Sequence, residues 1–309
     1  MTLVRTKVTA VIVAYESRDI IGMALDSLYQ AQQAGVAECV VVDNASKDGT
    51  AAFIEEQYPW VTLVTSKQNL GYGSGCNLGL RMVHTPYVLF MNPDVNIKVD
   101  ALDQLIRFAD EHPQAGLIAP AIKRQAGNYQ LADCLPTPMS LIRQAAGLSA
   151  SEKRMILPGA APFKTNWICG AAIFAPSNLM CTIGGFDPRF FLYFEETDLC
   201  LRVSKAGYEL WAFPSAEATH ASNASARKIR PDLADGGCLE EHFYPSRFYY
   251  LAKHHGLPAA VLVELSELFL KGIRDVGRLV TFRSYTNHFG ARLRFPFLTY
   301  PPQVRNQQQ

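Results

Sequence analysis

The segment "VTAVIVAY", residues 8–15, is a continuous apolar run. A run of this length without polar alternation is typical of a strand buried on both faces inside a parallel sheet. A second such run, "CVVVDN" at 39–44, follows a segment with helical spacing of apolar residues at 19–34. Strands and helices alternate in this way as far as residue 120, which predicts an α/β fold with βαβ units and a doubly wound, mostly parallel sheet.

Polar residues follow the ends of the predicted strands. In open parallel sheets, ligands bind at the carboxyl ends of the strands, so these residues are the first candidates for a site. They are Tyr15 and Glu16, Asp43 and Asn44, Lys67 to Asn69, and Asn92, Pro93 and Asp94.

The regular alternation of predicted strands and helices does not continue in the second half of the chain. Residues 121–165 are rich in Pro, Gly and small polar residues and are expected to form a flexible loop over the site. A strand is predicted within 165–176, and helices over 239–256 and 257–282. We therefore predict a domain over 1–255, with a nucleotide-binding half at 1–120 and an acceptor half at 121–255, followed by a helical and basic-aromatic extension at 256–309.

Bulk composition excludes several classes of protein. Of the 309 residues, 49% are hydrophobic and 18% charged, and the net charge is +1. These values predict a globular protein and argue against nucleic acid as a partner. The beginning of the sequence does not resemble a signal peptide, no apolar run is long enough to span a bilayer, and the seven cysteines have no pattern. The expected compartment is therefore the cytoplasm.

Three motifs at strand ends have both a functional and a structural interpretation. The carboxylate of Asp43 could grip ribose hydroxyls or a base, or it could serve in a turn and a helix cap. The glycine-dense stretch "NLGYGSGCNLG" at 69–79 could bring backbone N–H groups to a phosphate, or it could serve close packing. The carboxylate of Asp94 could bind a divalent cation, or "NPD" could be a simple turn. His220 becomes a credible metal ligand only if Asp94 lies nearby.

The stretch "FFLYFEETDLCLR", residues 190–202, sets three carboxylates after an apolar run. In a helix beginning near Glu195, Glu196 shares a face with Leu199, Cys200 and Val203, so it should point toward the core or a pocket. Partial burial would raise its pKa and make it a better base near neutral pH. Asp198 stands four residues before Arg202, the spacing of a structural ion pair, whereas Glu195 suits the helix start and leaves substrate contact open.

Taken in order, these motifs resemble those of family 2 glycosyltransferases with the GT-A fold, and most of all the rhamnosyltransferase-type branch that builds bacterial polysaccharides. The resemblance covers about residues 6–255. The motifs that carry it are "VIVAYES", "VVDNASKDGT", "NLGYGSGCNLG", "FMNPD", "WICGAAIFAP", "GGFDPRFFLYFEETDLCLR" and the histidine at 220.

The resemblance implies that the chain transfers a sugar from a nucleoside diphosphate sugar with inversion at the anomeric carbon. Mg²⁺ or Mn²⁺ would assist. The best guess for the donor is dTDP-rhamnose, and the acceptor would be a hydroxyl of a growing polysaccharide or a lipid-linked glycan.

Residue roles follow from the same resemblance. Glu196 takes the position of the general base, where the family usually has Asp, with Glu195 and Asp198 as candidate supports. In the family's DxD motif, Asn92 replaces the first Asp, so Asp94 alone supplies the carboxylate, and His220 matches a second metal ligand found in some relatives. The residues implied in donor and nucleotide binding are Tyr15, Asp43, Asn44, Asn69, Gly71, Tyr72, Asn77, Asn92 and Asp94. Those implied near the donor sugar or acceptor are Trp167, Gly170 and Ala171.

Two other functions are weighed against this one. A non-catalytic nucleotide-sugar-binding protein could dispense with the base, but Glu196 is still an acid. A nucleotidyltransferase would normally carry a basic, Gly-rich loop near the first strand, where this chain offers only Arg18. Basic and aromatic residues interleave between 271 and 305, a mixture that can bind at anionic membrane surfaces, so peripheral membrane contact by the extension is one interpretation. The alternative is a solvated helix face and a tail packed on the domain or on a second subunit in a homodimer.

Overall fold

The computed structural model describes residues 6–125, 127–148, 153–221 and 237–280. The strands in these ranges are β1 (Val8–Ala14), β2 (Ala37–Asp43), β3 (Thr62–Thr65), β4 (Tyr87–Met91), β5 (Val95–Ile97), β6 (Ala115–Arg124), β7 (Leu131–Ala132), β8 (Arg154–Met155), β9 (Phe163–Thr165), β10 (Ala172–Pro176) and β11 (Glu209–His220). The helices are α1 (Gly22–Gln33), α2 (Thr50–Gln57), α3 (Tyr72–Leu80), α4 (Val99–Glu111), α5 (Pro138–Ala145), α6 (Ser177–Thr182), α7 (Glu195–Lys205), α8 (Gly237–His255) and α9 (Leu257–Val280).

Within these ranges the main sheet has the strand order β3-β2-β1-β4-β10-β6-β11-β5, and β9 pairs with β11. The pairs among β1, β2, β3 and β4 are all parallel, as the alternating pattern predicts. β10 is antiparallel to both of its neighbours, and β11 is antiparallel to β5 and β9 but parallel to β6. The sheet is therefore mixed, and antiparallel pairing enters where the strand–helix alternation of the sequence stops.

Burial on both faces explains the uninterrupted apolar run of β1. Ile12 faces a cluster that includes Leu25 of α1 and Leu102 of α4. Its neighbours Val11 and Val13 face the opposite cluster, which includes residues of α3 and α7. Since successive side chains of a strand point to opposite faces, a strand covered on both sides must be apolar at every position.

Residues 121–165 were expected to form a flexible loop, and their described part carries regular structure instead. β6 continues to Arg124, and α5 begins with a capping box between Thr137 and Ser140. Leu141 and Ile142 of α5 pack on an aromatic cluster with residues of α8 and α9. Short elements separated by Pro and Gly leave little periodic signal, which is why the sequence pattern missed them.

The two C-terminal helices have nearly the predicted bounds, and Gly256, with φ at +86°, separates them in the left-handed region. The aromatic cluster joins them to the "FFLYF" stretch through Phe190, Tyr249 and Tyr250. The last helix, α9, packs on both α8 and α5. The predicted domain boundary after residue 255 stays a prediction. Most of the basic-aromatic tail, residues 281–309, lies outside the described ranges. No helix of the described part is long and apolar enough to cross a membrane.

Candidate active site

Asp43 ends β2 beside Ala14 of β1, and only 4% of the residue is exposed. Oδ2 accepts a hydrogen bond of 3.3 Å from the backbone N–H of Ser46, whereas Oδ1 is buried with no partner among the described residues. Burial raises the pKa of Asp43, and the hydrogen bonds from Ser46 oppose this rise. An acceptor without a partner beside the end of β1 fits the predicted contact with ribose hydroxyls or a base, and Tyr15 lies half-buried directly after β1.

Asn44 has a structural role in shaping the loop after β3. Its Nδ2 donates to Oδ1 of Asn69 at 2.9 Å and to the carbonyl of Gly71 at 3.2 Å. Its Oδ1 accepts from the N–H of Leu70, and Asn69 in turn accepts from the N–H of Gly71. The side chain of Asn44 therefore holds residues 69–71 in place, and its contact with the donor stays a prediction.

Close packing explains the glycines of the 69–79 stretch. A Cβ at Gly71, whose φ is +80°, would lie 2.2 Å from the carbonyl oxygen of Phe191, and one at Gly75 would lie 2.7 Å from Val13. Likewise, the side-chain amide of Asn77 donates to the carbonyl of Phe186 at 2.7 Å and accepts from its N–H at 2.8 Å. Gly71 and Asn77 thus have a packing role, and the nucleotide contacts implied for them stay predictions.

Asp94 and His220 lie together at the end of the sheet. Oδ1 of Asp94 is 3.0 Å from Nε2 of His220, and both side chains are largely buried. The condition set by the sequence for His220 as a metal ligand is therefore met. Asn92, two residues before Asp94, is half-buried and donates its N–H to the carbonyl of Ala171 at 2.9 Å.

One carboxylate and one imidazole suit Mg²⁺ or Mn²⁺ when diphosphate oxygens and water complete the coordination. In the described part of the chain, no group of three or more His, Cys, Asp or Glu side chains converges as a complete metal site. The pair is therefore compatible with a cation that binds together with a phosphorylated ligand.

The entry to β10 connects the end of β4 to the acidic helix. Ala171 holds Asn92, and the carbonyl of Gly170 accepts a 3.0 Å hydrogen bond from the hydroxyl of Tyr72. A Cβ at Gly170 would lie 3.5 Å from Cβ of Glu196, so the missing side chain leaves room beside this acid. Trp167 donates from Nε1 to Oγ1 of Thr197 at 2.9 Å.

Unusual backbone geometry precedes α7. Tyr193 and Phe194 both have positive φ, at 67° and 66°, which is rare for aromatic residues and persists only where the surrounding structure enforces it. Phe190 and Phe194 are buried in the aromatic cluster, and the carbonyl of Phe191 accepts from the N–H of Tyr72 at 3.0 Å. The apolar run thus anchors the tight turn from which the acidic helix begins.

Glu195 and Glu196 are the first two residues of α7, as predicted. Glu196 is half-buried and accepts a 3.1 Å hydrogen bond from Oγ1 of Thr197. Burial raises the pKa of Glu196, and hydrogen bonds from its own backbone and from Thr197 oppose that rise. The predicted inward face is also present, since Leu199, Cys200 and Val203 are fully buried.

Glu195 lies at the helix start, as expected, but it is buried there. It is 6% exposed, and its Oε2 has no hydrogen-bond partner among the described residues. Burial, and then the charge of Glu196, raise its pKa well above the ordinary value. The helix dipole alone does not account for an acid in this environment; Gly73 of α3, whose absent Cβ would lie 3.4 Å from Cβ of Glu195, covers it.

Asp198 belongs to a buried ionic cluster, as its spacing from Arg202 indicates. It pairs with Arg202 at 2.7 Å, with Lys253 at 2.5 Å and with Nε2 of His254 at 2.7 Å. Lys253 also contacts Asp187 at 2.8 Å, so the cluster fastens α7 to α8. The predicted ion pair between Asp198 and Arg202 is confirmed. The sequence did not predict that Lys253 and His254 of α8 also pair with Asp198.

Two residues near the site escaped the sequence interpretation. Thr197 links Trp167 to Glu196, and the only hint of it was its place between two acids. Arg124 ends β6 opposite His220, and its guanidinium opposes the rise in pKa that burial causes at Cys169. An exposed arginine at a strand end offers positive charge beside the Asp94–His220 pair, but a single Arg after a strand gives no distinctive sequence signal.

A mixed sheet of this order, flanked by helices, matches the GT-A fold of solved glycosyltransferases. The mannosyltransferase PcManGT from Pyrobaculum calidifontis, solved with GDP-Man and Mn²⁺, matches with a TM-score of 0.58 and 17% identity, covering 94% of this chain and 79% of its own.

The model of glycosyl transferase family 2 matches residues 9–163. A relative from Mycobacterium tuberculosis, N-acetylglucosaminyl-diphospho-decaprenol L-rhamnosyltransferase, is 30% identical over 70% of this chain and 75% of its own length. The low-salt glycan biosynthesis hexosyltransferase Agl10 of Haloferax volcanii is 26% identical over 68% of this chain and 66% of its own. The chain belongs to glycosyltransferase family 2.

Proposed function

We propose that this chain is an inverting glycosyltransferase that moves L-rhamnose from dTDP-rhamnose to a hydroxyl of a lipid-linked glycan or growing polysaccharide. The observation that carries the proposal is the half-buried Glu196 at the start of α7, beside the open space left by Gly170. The choice of rhamnose and of a lipid-linked acceptor is supported by the name of the Mycobacterium tuberculosis relative.

In the proposed reaction, Glu196 accepts the proton of the acceptor hydroxyl. The oxygen then forms a bond to the anomeric carbon while the bond from that carbon to the diphosphate oxygen breaks, and the nucleoside diphosphate leaves with the bonding electrons. One displacement without an enzyme nucleophile inverts the configuration at the anomeric carbon. The raised pKa of Glu196 suits this task, because a general base works best when its pKa lies near the working pH.

The other side chains orient the reactants. Oδ1 of Asp43 would accept from the nucleoside, and Tyr15, Asn69 and Tyr72 would contribute to donor binding. Asp94 and His220 would hold Mg²⁺ or Mn²⁺, which would supply positive charge to the leaving diphosphate when bound. Arg124 would add to that charge from the end of β6.

We further propose that the chain works in the cytoplasm, at the inner face of a membrane. A lipid-linked acceptor requires a membrane within reach. The described cysteines form no disulfide, which is compatible with a reducing compartment.

A screen of UDP-, GDP- and dTDP-sugars, with and without Mn²⁺, tests the proposal. The acceptor is an N-acetylglucosaminyl-diphospho-polyprenol, and the readouts are the released nucleotide and the anomeric configuration of the product by NMR. We expect dTDP to appear from dTDP-rhamnose only when acceptor is present. Release of a nucleoside monophosphate or of pyrophosphate would overturn transfer, and no release from any donor would favour a binding protein without catalysis.

A further inference from the structure

Helix α9 turns an apolar stripe outward. The outer stripe consists of Leu262, Leu265, Phe269, Ile273 and Val276, whose exposed fractions lie between 53% and 67%. Their spacings of three and four residues place all of them within about 80° of arc on one side of the helix. A surface helix of a globular protein normally shows the opposite arrangement, with its apolar stripe toward the core.

All three carboxylates of α9 point the other way. Glu264, Glu267 and Asp275 are buried. Glu264 accepts a 2.7 Å hydrogen bond from Arg247 of α8, and Glu267 also pairs with Arg247. The inner side of the helix is thus held by ion pairs, and the acids are removed from the surface.

Further contacts fix this orientation. Lys271 pairs with Glu267 at 2.7 Å and donates to the hydroxyl of Tyr244 at 3.2 Å. Arg274 donates to the carbonyl of Ala145 at the end of α5. Rotating α9 to bury the outer stripe would break these contacts. They therefore keep the apolar side of the helix facing outward.

We propose that the outer stripe of α9 docks on an anionic lipid surface. The stripe extends over about 21 Å, at 1.5 Å per residue, which suits a helix lying in the interface between headgroups and acyl chains. No charged side chain among the described residues of α9 lies on this side, so nothing on the stripe resists burial in lipid.

The charge of the segment after α9 favours an anionic lipid surface, and not a second copy of the chain, as the partner of the outer stripe. The sequence that follows α9, residues 281–309, contains four arginines and no Asp or Glu. A second copy carries the same positive charge and offers no acidic partner from this segment, whereas an anionic surface attracts the arginines and accepts the apolar side chains at the same time.

The docked helix is connected to the acidic helix of the site. α9 packs on α8, whose Ser246 donates from Oγ to the carbonyl of Leu192 at 2.8 Å, three residues before α7 begins. The inference rests on the proposed function only in that a lipid-linked acceptor makes such docking useful. Docking itself can be measured without donor, acceptor or turnover.

Vesicle co-sedimentation of the full chain tests the inference. The vesicles are phosphatidylcholine alone, and phosphatidylcholine with roughly a quarter of phosphatidylglycerol. We expect binding to the anionic vesicles, weakened by salt, and little binding to the neutral ones. The double variant Leu265→Ser/Phe269→Ser should lose about tenfold or more in affinity, because two exposed apolar anchors are removed.

Met23→Ser is the matched control, since Met23 is a half-exposed apolar residue on α1 and outside the stripe. It should bind vesicles like the unaltered chain. Circular dichroism and the melting temperature establish that each variant is folded. Absence of binding by the unaltered chain, or equal binding by the double variant, would overturn the proposal.

Light scattering distinguishes the competing occupant. A dimer that the double variant converts to a monomer would assign the stripe to a second copy and overturn the lipid assignment. Failure of the proposed function would be seen separately, as the absence of nucleotide release from every donor, whatever the vesicle result.

Discussion

The Nε2 atom of His220 lies 3.0 Å from Oδ1 of Asp94, and the sheet alone brings these two residues together. β5 begins one residue after Asp94 and pairs antiparallel with the end of β11, where His220 lies opposite Val95. The N–H of Ala221 also donates to the carbonyl of Asp94 at 3.0 Å. The pair is therefore built into strand pairing and does not depend on a mobile loop.

Substituting either member of this pair should weaken metal-dependent nucleotide binding. We expect Asp94→Asn and His220→Ala each to reduce the affinity for dTDP in the presence of Mn²⁺ by roughly tenfold or more, because each would remove one of the two proposed protein ligands. Isothermal titration with and without Mn²⁺ measures this. The exposed His84, changed to Ala, is the control, and unchanged Mn²⁺ dependence in both site variants would remove the pair from the metal role.

Glu196→Gln should abolish sugar transfer and leave donor binding nearly intact. The amide has the same shape as the carboxylate but cannot accept the proton of the acceptor hydroxyl, which should cost about a hundredfold or more in turnover. Glu195→Gln is the matched control at the neighbouring position. Burial, and then the charge of Glu196, raise the pKa of its carboxyl well above the ordinary value, so an uncharged amide is a close substitute for its protonated form. Similar losses in both variants would contradict the assignment of the base.

The N-terminal half of the fold, and the arrangement of part of the candidate site, could be predicted from the sequence. β1 and β2 are apolar at every position because both faces are covered, and the polar residues after them must then lie at the ligand-binding edge. The four-residue spacing of Asp198 and Arg202 also predicts their ion pair directly. These signals are local, since the cause of each lies within a few residues.

What could not be predicted depends on distant pairing. β10 inserts antiparallel between β4 and β6, and no local pattern announces which strands it will separate. The burial of Glu195 depends on α3 packing over α7 through Gly73, and the packing role of Asn77 depends on Phe186. The contacts of Lys253 and His254 with Asp198 likewise join residues that are distant in the sequence, so only the structure reveals them.

Thr197 should position Glu196 and set its acidity. Its hydroxyl donates to Oε1 of Glu196, which stabilises the charged form of the acid, so Thr197→Val should raise the pKa of Glu196 further. Since the base must be deprotonated, the acid limb of the kcat/KM profile should move to higher pH by about one pH unit. A pH–rate profile measures this, and Thr197→Ser should restore the original limb. A fall in activity with an unmoved profile would indicate a purely structural residue.

Asp198→Asn should destabilise the fold by about 3 kcal/mol, because it leaves the cations of a buried cluster partly uncompensated. Urea unfolding at neutral pH measures the change. The ion pairs hold the pKa of Asp198 below its ordinary value, so its stabilising effect is present above that value and is lost as the pH falls through the lowered pKa. Asp110→Asn, which breaks an exposed pair with Lys7, is the control and should cost less than about 1 kcal/mol. Equal losses in the free energy of unfolding would mean that the buried cluster contributes no more to stability than the exposed ion pair.

Glu195→Gln should stabilise the protein at alkaline pH and have little effect in acid. Because the folded-state pKa of Glu195 is raised, the folded protein binds a proton that the unfolded chain has released, and stability falls as the pH rises from the ordinary glutamate pKa toward the raised one. Each unit by which the two pKa values differ corresponds to about 1.4 kcal/mol. The variant has no proton to lose, so its melting temperature should exceed that of the unaltered chain by a margin that grows between mild acid and alkaline pH. Glu38→Gln, outside the acid pair, should show no such growth. A constant difference across pH would mean that Glu195 is charged in the folded protein, and that its buried Oε2 has a partner in solution.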